Sequence, residues 1–316
     1  MASQSECHRR EGFGASFRIM TWVPSAMTIL FDVVITGIGA GVLYGLVGLA
    51  FVLVLKTTNV VNFFQGDTCA FGAYFTVIFV AKLGASLPVA VLAAILSSVG
   101  VTILLELVGL RPMYKISIIQ VVIGTVALSM IMRYLIRLYW GPQVVPFPDL
   151  FQDIPLNIPG IPLGSATLWM MILVGLSVSG FGIFFRYTRW GLALRACCQD
   201  RQSASLMGIH VGGMMSLAWG LSGAIGAIAG IAGAHMLSVS PEMGIIGLKG
   251  FVASILGGAN SIPGALLGGL VLGVIENLSG FYISFAFRDL IAFIIMILVL
   301  LVKPSGLLGK QVVRKV

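Results

Sequence analysis

Two stretches of the chain gather polar side chains at spacings that could do chemistry. The first is Asn59-Val60-Val61-Asn62-Phe63-Phe64-Gln65-Gly66-Asp67, which sets amides and a carboxylate at the head of a hydrophobic run. Asn62 suits a helix cap there, and Asp67 suits the positive end of that helix. Equally, Asn62, Gln65, Gly66 and Asp67 suit a discontinuous helix or the lining of a pathway. The second stretch runs from Trp190 to Val211 and holds Arg195, Ala196, Gln199, Asp200, Ala204, Gly208 and Ile209. It is rich in helix formers, and Gly208 supplies a stop. An ordinary connector needs only a few residues, so this one reads as a docking element outside the membrane, with a long surface loop as the plainer alternative.

Bond-making chemistry finds no candidate. There is no phosphate-binding G-x-x-x-x-G-K-[ST], since Gly306-Leu307-Leu308-Gly309-Lys310-Gln311 has the wrong spacing and no hydroxyl after the lysine. G-x-G-x-x-G and H-E-x-x-H are missing as well. Cys7, Cys69, Cys197 and Cys198, with His8, His210 and His235, have no zinc-ligand spacing, so four free thiols and no metal site are expected. Arg9-Arg10 followed by Phe13 faintly resembles an export signal, but the hydrophobic stretch behind it runs on to Leu55, too long for a cleaved peptide.

The elements that hold these residues follow from composition. Of 316 residues, 58% are hydrophobic and 9% charged, against about a quarter charged in soluble domains. Mean hydropathy is +1.05. The chain is a polytopic membrane protein, and water-soluble enzyme classes are excluded. The net charge of +8 reads as topology rather than nucleic-acid binding, because no basic surface with aromatic readers accompanies it.

A spanning helix needs about 20 apolar residues. Hydrophobic tracts lie at roughly 28–55, 61–81, 86–109, 116–139, 166–185, 212–237, 243–275 and 287–302. Continuous tracts exclude a barrel, so the expected fold is all-α: a bundle of about eight transmembrane helices, with 8–10 crossings and broken or re-entrant helices. Arg186, Arg189, Arg195 and Arg201 place the loop 186–212 in the cytoplasm, and Asp149 and Asp153 place 141–164 outside. Arg133 and Arg137 then lie near the outer end of the fourth tract, snorkelling together or forming an electropositive vestibule.

Counting one crossing per tract leaves both termini outside. Yet Arg9, Arg10 and Arg18 in one tail, and Lys303, Lys310, Arg314 and Lys315 in the other, favour the cytoplasm. Extra turns in the first and seventh tracts remove the conflict. The first holds Gly37, Gly39, Gly41, Gly45 and Gly48, and the seventh holds Gly257-Gly258-Ala259-Asn260-Ser261-Ile262-Pro263-Gly264. Interrupted helices of this kind point to a transport pathway, so Gly257, Gly258, Ser261, Pro263 and Gly264 join the candidates; surface turns between short spans are the rival reading. Small-residue ladders such as Gly37-x-x-x-Gly41-x-x-x-Gly45 and Gly269-x-x-x-Gly273 suit close packing or sliding. Asp32, Asp67, Glu106 and Glu276 fall near tract ends, which leaves no clear midplane acid of the sort a proton-coupled carrier keeps.

From about residue 35 onward the chain resembles the permease subunits of branched-chain amino acid ABC importers, the LivH-like more than the LivM-like. The resemblance rests on Val61-Asn62-Phe63-Phe64-Gln65-Gly66-Asp67, on Arg111-Pro112 with Glu106 before it, and on Arg195 through Asp200 and Ser205 through Ile209. It extends to Gly257 through Gly269 and Pro304 through Gly309, in the same order and at family-like spacing. The family run N-F-A-[HQ]-G-E here carries Phe64 for alanine and Asp67 for glutamate, and Gln199 stands where an acid is common.

The resemblance implies a non-catalytic subunit of a multi-pass importer in a bacterial inner membrane, both termini cytoplasmic. Its partners would be a LivM-like permease, two ATP-binding-cassette ATPases and a periplasmic amino-acid-binding protein. ATP would be bound by the ATPases, and this chain would need no cofactor. Residues 195–209 would be the coupling helix. Residues 1–27 then form an N-terminal tail, 28–302 the permease domain with coupling loop 186–212, and 303–316 a cytoplasmic tail. The alternatives are an ABC permease for urea, short amides or other amino acids, or a secondary transporter or channel working alone.

Overall fold

The computed structural model describes residues 26–115, 117–147 and 165–309. Among them the chain is helical, with one isolated bridge between Val145 and Val239 and no strand. The helices are α1 (Ala26–Thr58), α2 (Gln65–Ala81), α3 (Leu87–Leu105), α4 (Ile118–Trp140), α5 (Ser165–Tyr187), α6 (Arg189–Gln199) and α7 (Arg201–Leu206). Then follow α8 (Val211–Leu237), α9 (Ile245–Gly257), α10 (Ile262–Tyr282) and α11 (Arg288–Val302). Seven helical segments are long and apolar enough to cross a membrane, so the fold is an all-α polytopic one. Large apolar side chains stand exposed along α4 and α11, among them Leu138, Tyr139 and Leu301. Such faces need lipid or protein cover.

The glycines of the first tract bend nothing. α1 is one helix of 33 residues, and the interruption expected at Gly37–Gly48 does not exist. Three of those glycines instead admit the backbone of α10. A methyl group on Gly41 would come within 2.8 Å of the Leu270 Cα, and one on Gly37 within 2.9 Å of the Val274 Cα. Gly269 and Gly273 answer from the other side against Gly45 and Gly41. Small residues are what allow helices to meet backbone to backbone where no water drives them together.

The interruption lies further on, between α1 and α2. Residues Asn59–Phe64 are non-helical yet largely buried, with Val60, Asn62 and Phe64 at most 2% exposed. Buried irregular backbone must find local partners. The Asn62 Oδ1 accepts from the Phe64 N–H at 3.0 Å. Thr125 of α4 accepts from the Phe63 N–H and donates to the Val61 carbonyl, both at 3.4 Å. Asn62 therefore closes a turn one step ahead of the helix rather than capping it; Phe64 occupies the cap position.

The break in the seventh tract falls where the glycines indicate. α9 ends at Gly257, and Gly258 takes φ +111, a conformation that disfavours any side chain. Ser261 then caps α10 by accepting from the Gly264 N–H at 3.1 Å, with Pro263 in the first turn. The chain returns to this point at its far end: the Leu307 and Leu308 N–H groups donate to the Leu256 and Gly257 carbonyls, each at 2.9 Å.

These contacts fix the direction of each pass. α1 and α10 run antiparallel, and α2 runs parallel to α8, with Gln65 opposite Ser222 and Gly72 against Ala227. The C-terminal end of α1, at Leu53, packs on Leu194 and Met214, so it lies on the face that carries 186–212. The start of α1 lies on the opposite face beside the end of α10. The described chain makes nine passes, because α2 and α9 add two short ones to the seven long helices. The extra crossing meant to bring both termini to one face is not found within α1. Residues 303–309 share the face of 186–212; residues 1–25, with Arg9, Arg10 and Arg18, and the acidic loop residues Asp149 and Asp153 lie outside the described residues.

Candidate functional site

Two short helices begin inside the bundle, and their first turns touch. Ser222, opposite Gln65, is the twelfth residue of α8, which places the start of α2 on the order of 17 Å along that helix at ~1.5 Å per residue. Gly66 packs directly against Gly244 and Gly247 at the start of α9, so closely that a methyl group on any of the three would meet backbone or a charged side chain. Two positive helix ends thus converge on one region.

Asp67 supplies the negative charge there. It is 1% exposed. The Ser129 hydroxyl donates to its Oδ2, and the Arg133 Nε and Nη2 stand 3.3 Å from its Oδ1. One helical turn above, Arg137 pairs with Glu242. The two arginines are neither snorkelling free nor a bare positive vestibule, since each meets a carboxylate from another element. Beside them lies a cleft of about 360 Å³ between α4 and the start of α9. Ser129, Arg133 and Glu242 line one part of it, and Phe51, Phe63 and Met130 another. Adjacent opposite charges with an aromatic wall form a surface fit for a small zwitterion with an apolar tail.

The other expected pathway residues hold the bundle together. The Gln65 side chain donates to the Ser222 carbonyl at 3.0 Å and accepts from the Ser222 hydroxyl at 2.6 Å. Asn62 and Thr68 complete this fully buried network, which ties α2 to α8. Gly66 is filled by α9. Gly257, Gly258, Ser261, Pro263 and Gly264 build the turn between α9 and α10, with Gly306 and Gly309 packed against Gly258. They stand at the far end of α9 from the cleft.

The docking segment folds as two helices. Thr188 caps α6 by accepting from the Gly191 N–H at 3.0 Å. Asp200 ends α6 and caps α7, accepting from the Gln202 N–H at 2.9 Å and the Ser203 hydroxyl at 2.6 Å. Those bonds hold its carboxyl below the usual range. Gly208, at φ +80, stops α7, and the Ile209 N–H returns to the Ala204 carbonyl at 3.1 Å. One face seats Leu194, Cys197 and Ala204 on Leu53 and Met214. The other presents Arg195, Gln199 and Asp200. At its tip Leu206 and Met207 are 88% and 83% exposed. These two apolar side chains escaped the sequence reading, which weighed charge and spacing; their signal is their place directly before the stop glycine. Burial raises the Cys198 thiol to about 11 and that of Cys197 upward, so both remain protonated.

Buried acids are more numerous than the tract map suggests. Glu106, Asp67 and Glu276 are each at most 1% exposed. Glu106 sits in a π-turn, Glu106–Leu110, and accepts from the Ser216 hydroxyl at 2.6 Å. Glu276 meets Lys249 at 2.7 Å, Arg288 at 2.6 Å and the Tyr44 hydroxyl at 3.3 Å, and Lys249 also reaches Asp289 at 2.9 Å. Lys249, a lone cation inside a hydrophobic tract, was the available signal. Among the described residues no cluster of His, Cys, Asp and Glu could hold a metal ion.

Comparison with known proteins adds the last element. Residues 33–300 match the family described as the permease component of the branched-chain amino acid transport system. The permease LivH of Salmonella typhimurium is 33% identical over 89% of this chain and 96% of its own length. BraD of Pseudomonas aeruginosa is 29% identical over the same shares, and a probable LivH of Methanocaldococcus jannaschii is 32% identical over 84% of this chain and 88% of its own. All three are named as branched-chain amino acid transport permeases. No solved structure gives a match. The extent of these matches places the chain in the branched-chain amino acid transport permease family.

Proposed function

We propose that the chain is the pathway-forming subunit of an ABC importer for branched-chain or related hydrophobic amino acids in a bacterial inner membrane, driven by ATP hydrolysis on separate subunits. The observation that carries it is the α6–α7 element: anchored by its buried face, closed by the Asp200 cap and the Gly208 stop, and presenting Arg195, Gln199, Leu206 and Met207 outward. An apolar knob ringed by polar groups suits a groove on a cytoplasmic ATPase. A second permease would complete the pathway beside the α4–α9 cleft, and a periplasmic binding protein would deliver the solute to the opposite face.

In this scheme ATP binding draws the paired α6–α7 elements together. α8 follows, because α6 and α7 pack on its first turns, and α2 follows α8 through the Gln65–Ser222 bonds. Such motion reshapes the junction of α2 and α9 where Asp67, Arg133 and the helix ends would meet the ammonium and carboxylate of the solute. No bond is made or broken in this chain.

Reconstitution of the permease pair with its ATPases and binding protein in liposomes tests the proposal. Gly208→Val and Arg195→Ala should lower leucine-stimulated ATP hydrolysis while the variants still fold and insert. Unchanged stimulation in both overturns the assignment of 195–209. Uptake by the permease without ATPases, driven by an ion gradient, overturns the ABC reading, and competition by urea rather than leucine overturns the substrate class.

A further inference from the structure

Away from the cleft, a second charged recess lies where the start of α1 meets the end of α10 and the start of α11. Two cavities of about 280 and 220 Å³ share Thr36, Asn277 and Arg288 as walls. Asp32 lines the first and has neither an ion pair nor a hydrogen bond among the described residues. Arg288 turns its Nε to Glu276 at 2.6 Å, and its two Nη groups have no acceptor among the described residues. Glu276 is fully buried, and its Oε2 lacks a hydrogen-bond partner among the described residues.

Among the described residues the cluster is also electrically incomplete: Asp32, Glu276 and Asp289 bring three negative charges against the two positive charges of Lys249 and Arg288. Asp32, half-buried, is the acid left without a cation among the described residues. An ammonium placed against Asp32 would balance it. An anionic oxygen pair placed against the open fork of Arg288 would use donors that now have no partner. Val33, Phe281 and Phe285 form an apolar rim on the same recess.

We propose that this recess binds a small zwitterion, with its ammonium on Asp32 and its carboxylate or phosphate on the Arg288 fork. The site is separate from the α4–α9 cleft and does not depend on the transport reading. Two sources carry this chemistry, an aminophospholipid headgroup from the bilayer and a free hydrophobic amino acid. The test uses the purified full chain in detergent. Native mass spectrometry compares phosphatidylethanolamine with its N-acetylated form and with phosphatidylglycerol, and equilibrium binding compares radiolabelled leucine with N-acetyl-leucine as competitor. In one arm the free-ammonium ligand should win by at least about tenfold, and Asp32→Asn should remove that advantage while Asp32→Glu restores it. The arm that responds names the source.

Equal binding of the N-acetylated forms overturns the proposal, as does failure of both ligands to bind. Leucine binding that Asp32→Asn leaves within about twofold belongs to the cleft and equally overturns the recess as an amino-acid site; if phosphatidylethanolamine binding is likewise unmoved, the proposal falls entirely. For the lipid arm the N-acetyl comparison needs only the natural chain, so equal binding of phosphatidylethanolamine and its N-acetylated form overturns that arm even if the variant does not fold.

Discussion

Separating Asp67 from Arg133 is the most informative perturbation of the cleft. At 3.3 Å and an effective dielectric of about 20, two unit charges attract by about 5 kcal/mol. Dehydration of Asp67, 1% exposed, opposes that attraction, and solvent screens Arg133, whose side chain is 36% exposed. The net coupling is then about 1–3 kcal/mol. Asp67→Asn keeps the oxygen that the Ser129 hydroxyl needs but removes the charge. Arg133→Gln removes the cation and leaves a nearly buried carboxylate, so it should be the worse single change for stability. The double variant should recover part of that loss. A double-mutant cycle on thermal unfolding of the purified chain reads the coupling directly, and uptake by the reconstituted importer reads its use. Both single variants should raise the half-saturating leucine concentration, because each removes one charge from the region where the zwitterion would lie. Additive unfolding effects, within about 0.5 kcal/mol, with unchanged uptake would refute the claim that this pair forms one unit facing the solute.

Three further outcomes are expected. Gly41→Val should disrupt the contact between α1 and α10, where even a methyl group meets the Leu270 Cα at 2.8 Å; at the cost of overpacking, about 1–3 kcal/mol or more, the variant should lose yield and thermal stability, and Gly39→Val, whose neighbours are the side chains of Thr167 and Met170, should lose less. Leu206→Asp with Met207→Asp should abolish capture of the ATPases in pull-down while leaving the helical circular dichroism unchanged. The Asp200 cap carries a pH signature: its carboxyl is held below its ordinary value by the Ser203 hydroxyl and the Gln202 N–H, so its contribution is present above about pH 4 and is lost as pH falls through the lowered value. Hydrogen exchange at Gln202 and Ser203, corrected for intrinsic rates, should show protection in the natural chain that Asp200→Ala removes at neutral pH.

The long helices and the docking segment were legible because hydropathy and capping are local properties. Asp200 and Gly208 announce the ends of α7 by residue type alone. So does the Gly257–Gly264 turn, where glycine, serine and proline follow one another in the order that stops one helix and starts the next. The first tract misled for a physical reason. In lipid a glycine marks either a bend or a close approach, and only the partner helix decides which. Gly37, Gly41 and Gly45 find Gly273, Gly269 and Leu266 on α10, more than two hundred residues away in the chain. The break at Asn59–Phe64 falls between the first two hydrophobic tracts, where the amides and carboxylate of Asn59–Asp67 already suited a discontinuous helix. Asp67 with Arg133, and Glu276 with Lys249, were hidden as the α1 glycine contacts were. A charge near a tract end reads as exposed until its counter-ion arrives from another helix. The scarcity of midplane acids, an apparent mark against carriers, loses its force now that three carboxylates prove buried; family membership bears that weight instead.

The bonds from Leu307 and Leu308 to the end of α9 have a bearing on biogenesis. A ribosome makes the half-helix α9 some fifty residues before it makes the strap that finishes it. Until Leu307 and Leu308 are made, the Leu256 and Gly257 carbonyls lack these donors, and the nascent bundle holds an unfinished seam at the turn between α9 and α10. The strap therefore acts as a completion step for the bundle: a chain cut after α11 would carry every long helix and still lack the two donors that finish α9.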